Sequence, residues 1–150
     1  MKANIVPVAG CILLALAVCG SPARAEPLAA TRLAVDDVKW EGDPAGVRRA
    51  YLVGDEKKPG MYAYRVRFPA NHKVQPHFHP DERIVTVLSG TLYVGFGEVF
   101  DESAMKALPT GSIWTEPVRQ PHFVFAKDGE VVFQVVGGNG PSGVTRIEPK

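Results

Sequence analysis

Residues 76–90, PHFHPDERIVTVLSG, combine a pair of histidines with an apolar segment that ends in a turn. His77 and His79 are two residues apart, so in an extended chain both imidazoles point to the same face. Two rings on one face can bind a first-row transition metal at adjacent coordination positions. The apolar run 84–88 predicts a strand, and Ser89-Gly90 predicts a tight hairpin turn after it.

Short apolar segments separated by turn residues recur outward from this stretch. Residues 62–68 alternate apolar and polar side chains, which is the pattern of a half-buried strand. Residues 122–126 and 131–136 flank Asp128-Gly129, a dipeptide typical of hairpin turns. About eight such strands, with turns every 8–12 residues, predict an all-β antiparallel sandwich or barrel. The exception is one short helix predicted at 101–108.

Residues 1–25 predict a signal peptide that is cleaved after Ala25. A basic start, an apolar run at 12–18 and the ending Ala23-Arg24-Ala25 are typical of such segments. The run is shorter than the ~20 apolar residues that span a bilayer. We therefore expect a periplasmic or secreted protein. Lipid attachment at Cys19 is an alternative that fits less well, because the residue before it is a bulky valine.

Removing this segment leaves residues 26–60 as an N-terminal arm with strands that pack on a barrel, and residues 61–150 as the barrel.

Two of the 17 basic side chains are lost with residues 1–25, so 15 remain against 16 acidic ones and the net charge becomes −1. That balance gives no electrostatic basis for binding nucleic acid. Both cysteines also lie in 1–25, so any metal must be bound by histidine or carboxylate side chains.

A third histidine, His122, begins a predicted strand more than forty residues after His79. Pairing across Asp128-Gly129 would place His122 on the same face as Val124 and Phe133, toward an apolar interior. A metal or a hydrogen-bond partner would satisfy an imidazole in that setting. A core histidine with an ordinary hydrogen bond is the other interpretation.

These stretches resemble the two motifs of the cupin family, G-x5-H-x-H-x3,4-E-x6-G and G-x5-P-x-G-x2-H-x3-N. Six residues match the motifs in order: His77, His79, Gly90, Gly111, Pro117 and His122. The chain is similar to small exported single-domain cupins of the type-2 group. The resemblance implies a cupin-like jelly-roll barrel, or double-stranded β-helix, that holds one divalent transition metal (Fe, Mn, Ni, Cu or Zn). It also implies a small-molecule ligand, and it makes a homodimer plausible.

The chain departs from these motifs at several positions. Asn71 and Arg119 replace two glycines, and Arg83 stands where the first motif places a metal-binding Glu. Pairing across Ser89-Gly90 predicts that Arg83 faces inward with Val85. A guanidinium group ~5 Å from a divalent cation would oppose its binding by several kcal/mol at an effective dielectric constant near 20.

Three arrangements of the site are therefore open. Arg83 could turn outward and leave a metal bound by His77, His79, Glu82 and His122. Three histidines and water could bind the metal instead. In the third arrangement the pocket holds no metal and Arg83 binds an anion. The predicted pocket residues are Gln75, Arg83, Val85 and Phe133.

Two functions follow from these arrangements. The first is a metal-dependent enzyme, such as a dioxygenase-like oxidoreductase or an isomerase, acting on a small oxygenated molecule. The alternative is a non-catalytic module that binds a small molecule, an anion or a metal. The fold does not decide between them, because function depends on the site.

Overall fold

The computed structural model describes residue 25, residues 27–138 and residues 140–148. Residues 1–24 lie outside this part of the chain, so the predicted signal peptide and lipid attachment stay predictions. Among the described residues, no helix is long and apolar enough to cross a membrane.

Within the described residues, eleven strands form two antiparallel sheets, which confirms the predicted all-β class and jelly-roll barrel. In chain order the strands are β1 (Glu41–Gly42), β2 (Arg48–Val53), β3 (Tyr62–Phe68), β4 (His72–Phe78), β5 (Arg83–Ser89), β6 (Thr91–Phe96), β7 (Lys106–Pro109), β8 (Ile113–Glu116), β9 (His122–Ala126), β10 (Val131–Gly137) and β11 (Thr145–Arg146). The six-stranded sheet has the order β1-β2-β3-β10-β5-β8, and the five-stranded sheet has the order β11-β4-β9-β6-β7.

The hydrophobic core lies between the inner faces of the two sheets. Strand β3 shows how the sequence forms it, because its apolar residues alternate with half-buried Ala63, Arg65 and Arg67. The buried core residues come from both sheets: Tyr62, Tyr64, Val66, Phe68, Val85, Val87, Leu92, Val94, Leu108, Trp114, Val124, Ala126, Val131, Phe133 and Val135. Full burial of one large apolar side chain stabilises the fold by about 1.5–3 kcal/mol, so this cluster is the main stabilising element.

Both predicted hairpins are wrong, because the two turns connect different sheets. Strand β5 pairs with β10 and β8, whereas β6 pairs with β9 and β7. Strands β9 and β10, on either side of Asp128-Gly129, are likewise in different sheets. Turn residues specify that the chain reverses, but they do not specify the partner of the next strand. The predicted inner faces are still observed for Arg83, Val85 and Phe133, because alternation within a strand does not depend on its partner.

The segment 101–108 is not an α-helix. Glu102–Ala104 form a single 3-10 turn, and the side chain of Asp101 accepts a hydrogen bond from the backbone N–H of Ser103 at 2.8 Å. The following residues form β7, which pairs with β6. A helix this short is costly to nucleate, and hydrogen bonds to a neighbouring strand offer the backbone a better alternative.

Strands β1 and β2, from the predicted N-terminal arm, extend the six-stranded sheet. Strand β2 pairs with β3, and β1 pairs with β2. Before β1, the Trp40 ring lies against two guanidinium groups, with its centroid 5.9 Å from Cζ of Arg48 and 5.2 Å from Cζ of Arg67. These contacts attach Trp40 to strands β2 and β3.

The turn at Gly90 provides a test of the fold. Gly90 has a φ of 78°, and a Cβ atom added there would lie 2.3 Å from the backbone oxygen of Glu130. We expect Gly90→Ala to lower the free energy of unfolding by at least ~2 kcal/mol, through left-handed strain and this clash.

Gly129→Ala is the matched control for that measurement. A Cβ at Gly129 meets nothing within 4 Å, so we expect a change below ~0.5 kcal/mol. Urea unfolding monitored by circular dichroism gives both values, and equal stability of the two variants would contradict the described turn.

Candidate metal centre

Three histidines from two neighbouring strands converge inside the barrel. His77 near the end of β4 is the register partner of His122 at the start of β9, and His79 follows β4 directly. The ring centroids are 4.3 Å apart for His77 and His122, 5.0 Å for His77 and His79, and 5.2 Å for His79 and His122. One nitrogen of each ring lies within 4.8 Å of the other two, which is close enough for one metal ion to bind all three.

The backbone beside His77 and His79 departs from regular strand pairing. The register between β4 and β9 shifts between Val74 and His77, where Pro76 has no N–H to donate to the ladder. Arg119 has a φ of 56°, and its backbone N–H donates to the carbonyl oxygen of His79 at 2.8 Å. Asn71, at the other replaced glycine position, has a φ of 63°. The backbone thus keeps a left-handed conformation at both positions.

The Nδ1 atom of every ring donates to a backbone carbonyl oxygen. The three bonds are His77 Nδ1 to Gln75 O at 2.9 Å, His79 Nδ1 to Gly143 O at 2.6 Å, and His122 Nδ1 to Gln120 O at 3.0 Å. Because a carbonyl can only accept, each Nδ1 carries the proton and each Nε2 presents a lone pair. Metal-binding histidines are oriented by such outer hydrogen bonds.

Burial keeps the three rings neutral at pH 7. Loss of solvation lowers the pKa of His77, lowers that of His79 to about 4 and lowers that of His122 to about 3, and the charge of Arg83 contributes to each shift. Neutral imidazole is the form that binds metals. The buried Nε2 of His122 has no hydrogen-bond partner. A buried acceptor without a partner is costly, and a metal ion at this position would satisfy it.

Arg83 points into the barrel, and its charge is compensated by carboxylates. Its guanidinium nitrogens lie 3.5 Å from Oδ1 of Asp81, 3.5 Å from Oε2 of Glu116 and 3.3 Å from the hydroxyl of Tyr64. It also donates to the hydroxyl of Ser142. Both acidic partners are buried. Arg83 therefore repels a nearby cation less than an isolated guanidinium would.

Glu116 is the acidic residue that reaches the histidines. It ends β8, directly opposite Arg83 in β5. Its Oε2 lies 3.3 Å from Nε2 of His79, and its Oε1 lies 3.7 Å from Nε2 of His122. Burial raises the pKa of Glu116 to about 7, and Arg83 opposes part of that rise. Since both imidazoles are neutral, these contacts are not ion pairs, and a shared proton or a metal ion is needed to make them favourable.

Glu82, the acid proposed from the sequence, is exposed and lies outside the histidine cluster. Sequence spacing points only to acids next to Arg83 along the chain, so it does not reveal Glu116, 33 residues further on. The available signal was the position of Glu116 directly before Pro117 of the second motif, on the segment that leads to His122.

The histidines line a cavity of about 460 Å³. Of the predicted pocket residues, Gln75, Arg83 and Phe133 line this cavity, whereas Val85 is fully buried in the core and is not part of its wall. Trp114 also lines it, with its ring 5.2 Å from that of His122. The wall thus combines apolar and aromatic side chains with the polar cluster, as is typical of ligand sites.

Basic side chains outnumber acidic ones along this cavity wall. Arg49, Lys73, Arg83 and Arg146 line it, with Glu116 as their only acidic counterpart among the described lining residues. Arg49 is paired with Glu56 at 3.5 Å and Lys73 with Glu102 at 2.7 Å. Arg146, the register partner of His77 on β11, is exposed and has no ion pair among the described residues. Arg146 is therefore the side chain of the described cavity wall that is available to an anionic group.

Comparison with known families identifies the fold. A family model described as the ChrR Cupin-like domain matches residues 29–137. The chain belongs to this cupin family. A comparison with curated proteins finds no match.

Solved cupin structures share the barrel. The polyketide cyclase RemF from Streptomyces resistomycificus has a TM-score of 0.64 at 20% identity, covering 81% of this chain and 88% of its own. KdgF from Halomonas sp. has a TM-score of 0.61 at 17% identity, covering 75% and 96%. A recombinant oxalate oxidase in complex with glycolate has a TM-score of 0.53 at 22% identity, covering 70% and 57%. At these identities the likeness shows the fold alone.

Substitution of the histidines tests the centre. We expect His77→Ala and His122→Ala each to abolish stoichiometric binding of a divalent transition metal, because each removes one of three converging Nε2 atoms. Elemental analysis of the purified protein after equilibration with one metal measures the stoichiometry.

His72→Ala is the matched control. His72 is half-buried in the same strand, β4, and its ring packs 4.5 Å from that of Phe68. We expect this variant to keep one metal per chain. Full occupancy in His77→Ala or His122→Ala would remove that residue from the centre.

Proposed function

We propose that this cupin is an exported, metal-dependent oxidoreductase of dioxygenase type that acts on a small oxygenated anion. The observation that carries the proposal is the convergence of three neutral imidazoles in a cavity that the guanidinium of Arg146, unpaired among the described residues, also lines. Three imidazole ligands suit Fe, Mn, Ni, Cu or Zn, and they leave coordination positions for other ligands. A dioxygenase requires a redox-active metal from this set.

Different side chains would have different roles in such a site. His77, His79 and His122 would hold the metal, which supplies Lewis acidity and electron transfer to dioxygen when bound. Trp114 and Phe133 belong to the apolar part of the wall, which would keep the reacting groups away from bulk water. In a dioxygenase reaction the substrate is oxidised, dioxygen is reduced, and both oxygen atoms enter the products.

A negative charge on the substrate is supported by Arg146. This side chain lines the cavity beside His77 with its guanidinium unpaired among the described residues. Arginine binds carboxylates through two parallel hydrogen bonds. The oxalate oxidase that shares this fold is in complex with glycolate, a small hydroxycarboxylate. Small hydroxy and dicarboxylic acids are therefore the first compounds to test.

A non-catalytic binding module is the second candidate function, and Arg83 is the observation that favours it. In the described structure Arg83 engages both Asp81 and Glu116, the buried acids closest to the histidines. Neither carboxylate is then free to act as an unpaired general base. Such a site could hold a metal and a small anion without turning the anion over.

Oxygen consumption separates these two functions. We expect protein loaded with iron or manganese to consume dioxygen in the presence of glycolate, oxalate or a related small acid. Arg146→Gln should raise KM for that acid by ~10–100-fold, because it removes a charged hydrogen bond to the acid. The variant should keep the metal content of the wild-type protein. Stoichiometric metal and tight binding of the acid without oxygen consumption would support the binding module instead.

Export requires a separate test, because residues 1–24 lie outside the described part of the structure. We expect the full chain, produced in a bacterium, to accumulate outside the cytoplasm with Glu26 as its first residue. Mass spectrometry of the intact protein and fractionation of the cells measure both properties. Ala25→Arg, which disrupts the Ala-x-Ala site, should keep the longer chain.

Recovery of full-length chain in the cytoplasm would contradict export, and a lipid-modified Cys19 would favour anchoring. The homodimer is also a prediction, and the mass of the purified protein in solution tests it.

A further inference from the structure

We propose that Glu116 is the fourth protein ligand of the metal, so that a carboxylate from β8 replaces the one that the cupin motif places at the position of Arg83. This inference rests on the proposed three-histidine centre and goes beyond it, because neither the motif nor the sequence analysis assigns a role to Glu116. Three steps support it: the distances to the histidines, the strand register and the balance of charge.

The Glu116 carboxylate lies beside two of the three histidines. Ligand atoms bound about 2.0–2.2 Å from a metal, at angles between 90° and 110°, are themselves roughly 2.8–3.6 Å apart. Oε2 of Glu116 lies 3.3 Å from Nε2 of His79, inside this range, and Oε1 lies 3.7 Å from Nε2 of His122, just beyond it. Without a bridging ion or proton, these oxygens would face the lone pairs of two neutral imidazoles. A metal between them turns both repulsive contacts into bonds to a common centre.

The strand register explains how a carboxylate from β8 can take this place. Arg83 and Glu116 are register partners, and both side chains are buried on the inner face of the sheet. Cβ atoms of directly opposed residues in antiparallel strands are about 4.5–5.5 Å apart. A glutamate side chain on the neighbouring strand can therefore reach the same point inside the barrel. Glu82 cannot, because it is exposed and its neighbours Asp81 and Arg83 are the buried residues of that segment.

The net charge of the buried groups around a divalent metal is the same as in the cupin motif. Three neutral histidines and one carboxylate around a divalent metal give a net charge of +1. In this chain Arg83 adds +1 and Asp81 adds −1, so the sum stays +1. Asp81 accepts hydrogen bonds from the hydroxyls of Ser142, at 2.7 Å, and Tyr62, and its Oδ1 lies 3.5 Å from Arg83. Asp81 therefore compensates Arg83, and Glu116 can bind the metal while it accepts an outer hydrogen bond from Arg83.

Cobalt(II) is the probe for this inference, since its visible absorption reports the ligand set and its affinity can be measured by calorimetry. In the full chain, we expect Glu116→Gln to lower the affinity for cobalt(II) by ~100-fold and to shift the absorption bands. Glu116→Asp, which keeps the charge but shortens the side chain, should lose less affinity. Glu82→Gln should match the wild-type protein in both measurements.

An exchange of the two partners adds a sharper test. Arg83→Glu and Glu116→Arg, made together, return the carboxylate to the position that the motif gives it. We expect this double variant to bind cobalt(II) within ~10-fold of the wild-type protein, whereas Glu116→Arg alone should not bind it. Far-UV circular dichroism confirms that each variant is folded before its affinity is used.

The outcomes separate this inference from the proposed function. If folded Glu116→Gln and Glu116→Asp keep wild-type affinity and absorption while His122→Ala binds no cobalt(II), the metal is held by the histidines alone and the inference is overturned. Loss of affinity in Glu82→Gln instead would overturn it in favour of Glu82. If the wild-type protein binds no cobalt(II), both the proposed metal centre and this inference fail.

Discussion

The three hydrogen bonds from histidine Nδ1 atoms to backbone carbonyls are the constraint on which the site depends. The carbonyl of Gln75 lies within β4, and those of Gln120 and Gly143 lie just before β9 and β11, so the backbone of the barrel sets the ring orientations. With the proton fixed on Nδ1, each ring presents an Nε2 lone pair, the three rings lie close enough to bind one ion, and the Nε2 of His122 has no hydrogen-bond partner in the described part of the chain. The barrel therefore holds an arrangement that a cation would stabilise. Burial of its apolar core offsets the free-energy cost of removing these polar groups from water.

The buried charges show how one unusual substitution is accommodated. An arginine in place of an acid would oppose a metal, but here it lies between Asp81 and Glu116, and the β5–β8 register brings the second of these opposite it. Removing one member of this group would leave another charge buried without a partner, at a cost of about 3–5 kcal/mol. Arg83, Asp81 and Glu116 therefore depend on one another, and the segment that contains Ser142 adds to the group because its hydroxyl bonds both Arg83 and Asp81.

The inner faces of the strands could be predicted from the local sequence, but the partners of the strands could not. Alternation within strands placed Arg83 on the inner face and His122 toward the interior, as observed, although an outward Arg83 was one of the three arrangements left open. The strand partners were not predicted, because a turn such as Ser89-Gly90 has the same composition in a hairpin as in a crossing between sheets. Glu116 was missed for the same reason, since only the partner of β5 places it near the histidines. The assignment of an acid to a site needs strand order as well as spacing along the chain.

The central claim is that three imidazoles bind one metal through Nε2, and anomalous diffraction tests it most directly. Crystals of the full chain grown with zinc, and measured at the zinc absorption edge, locate the ion without reference to activity. The account predicts one strong peak per chain, about 2.0–2.2 Å from Nε2 of His77, His79 and His122. A zinc ion bound elsewhere, or no ordered ion beside the three rings, would contradict it.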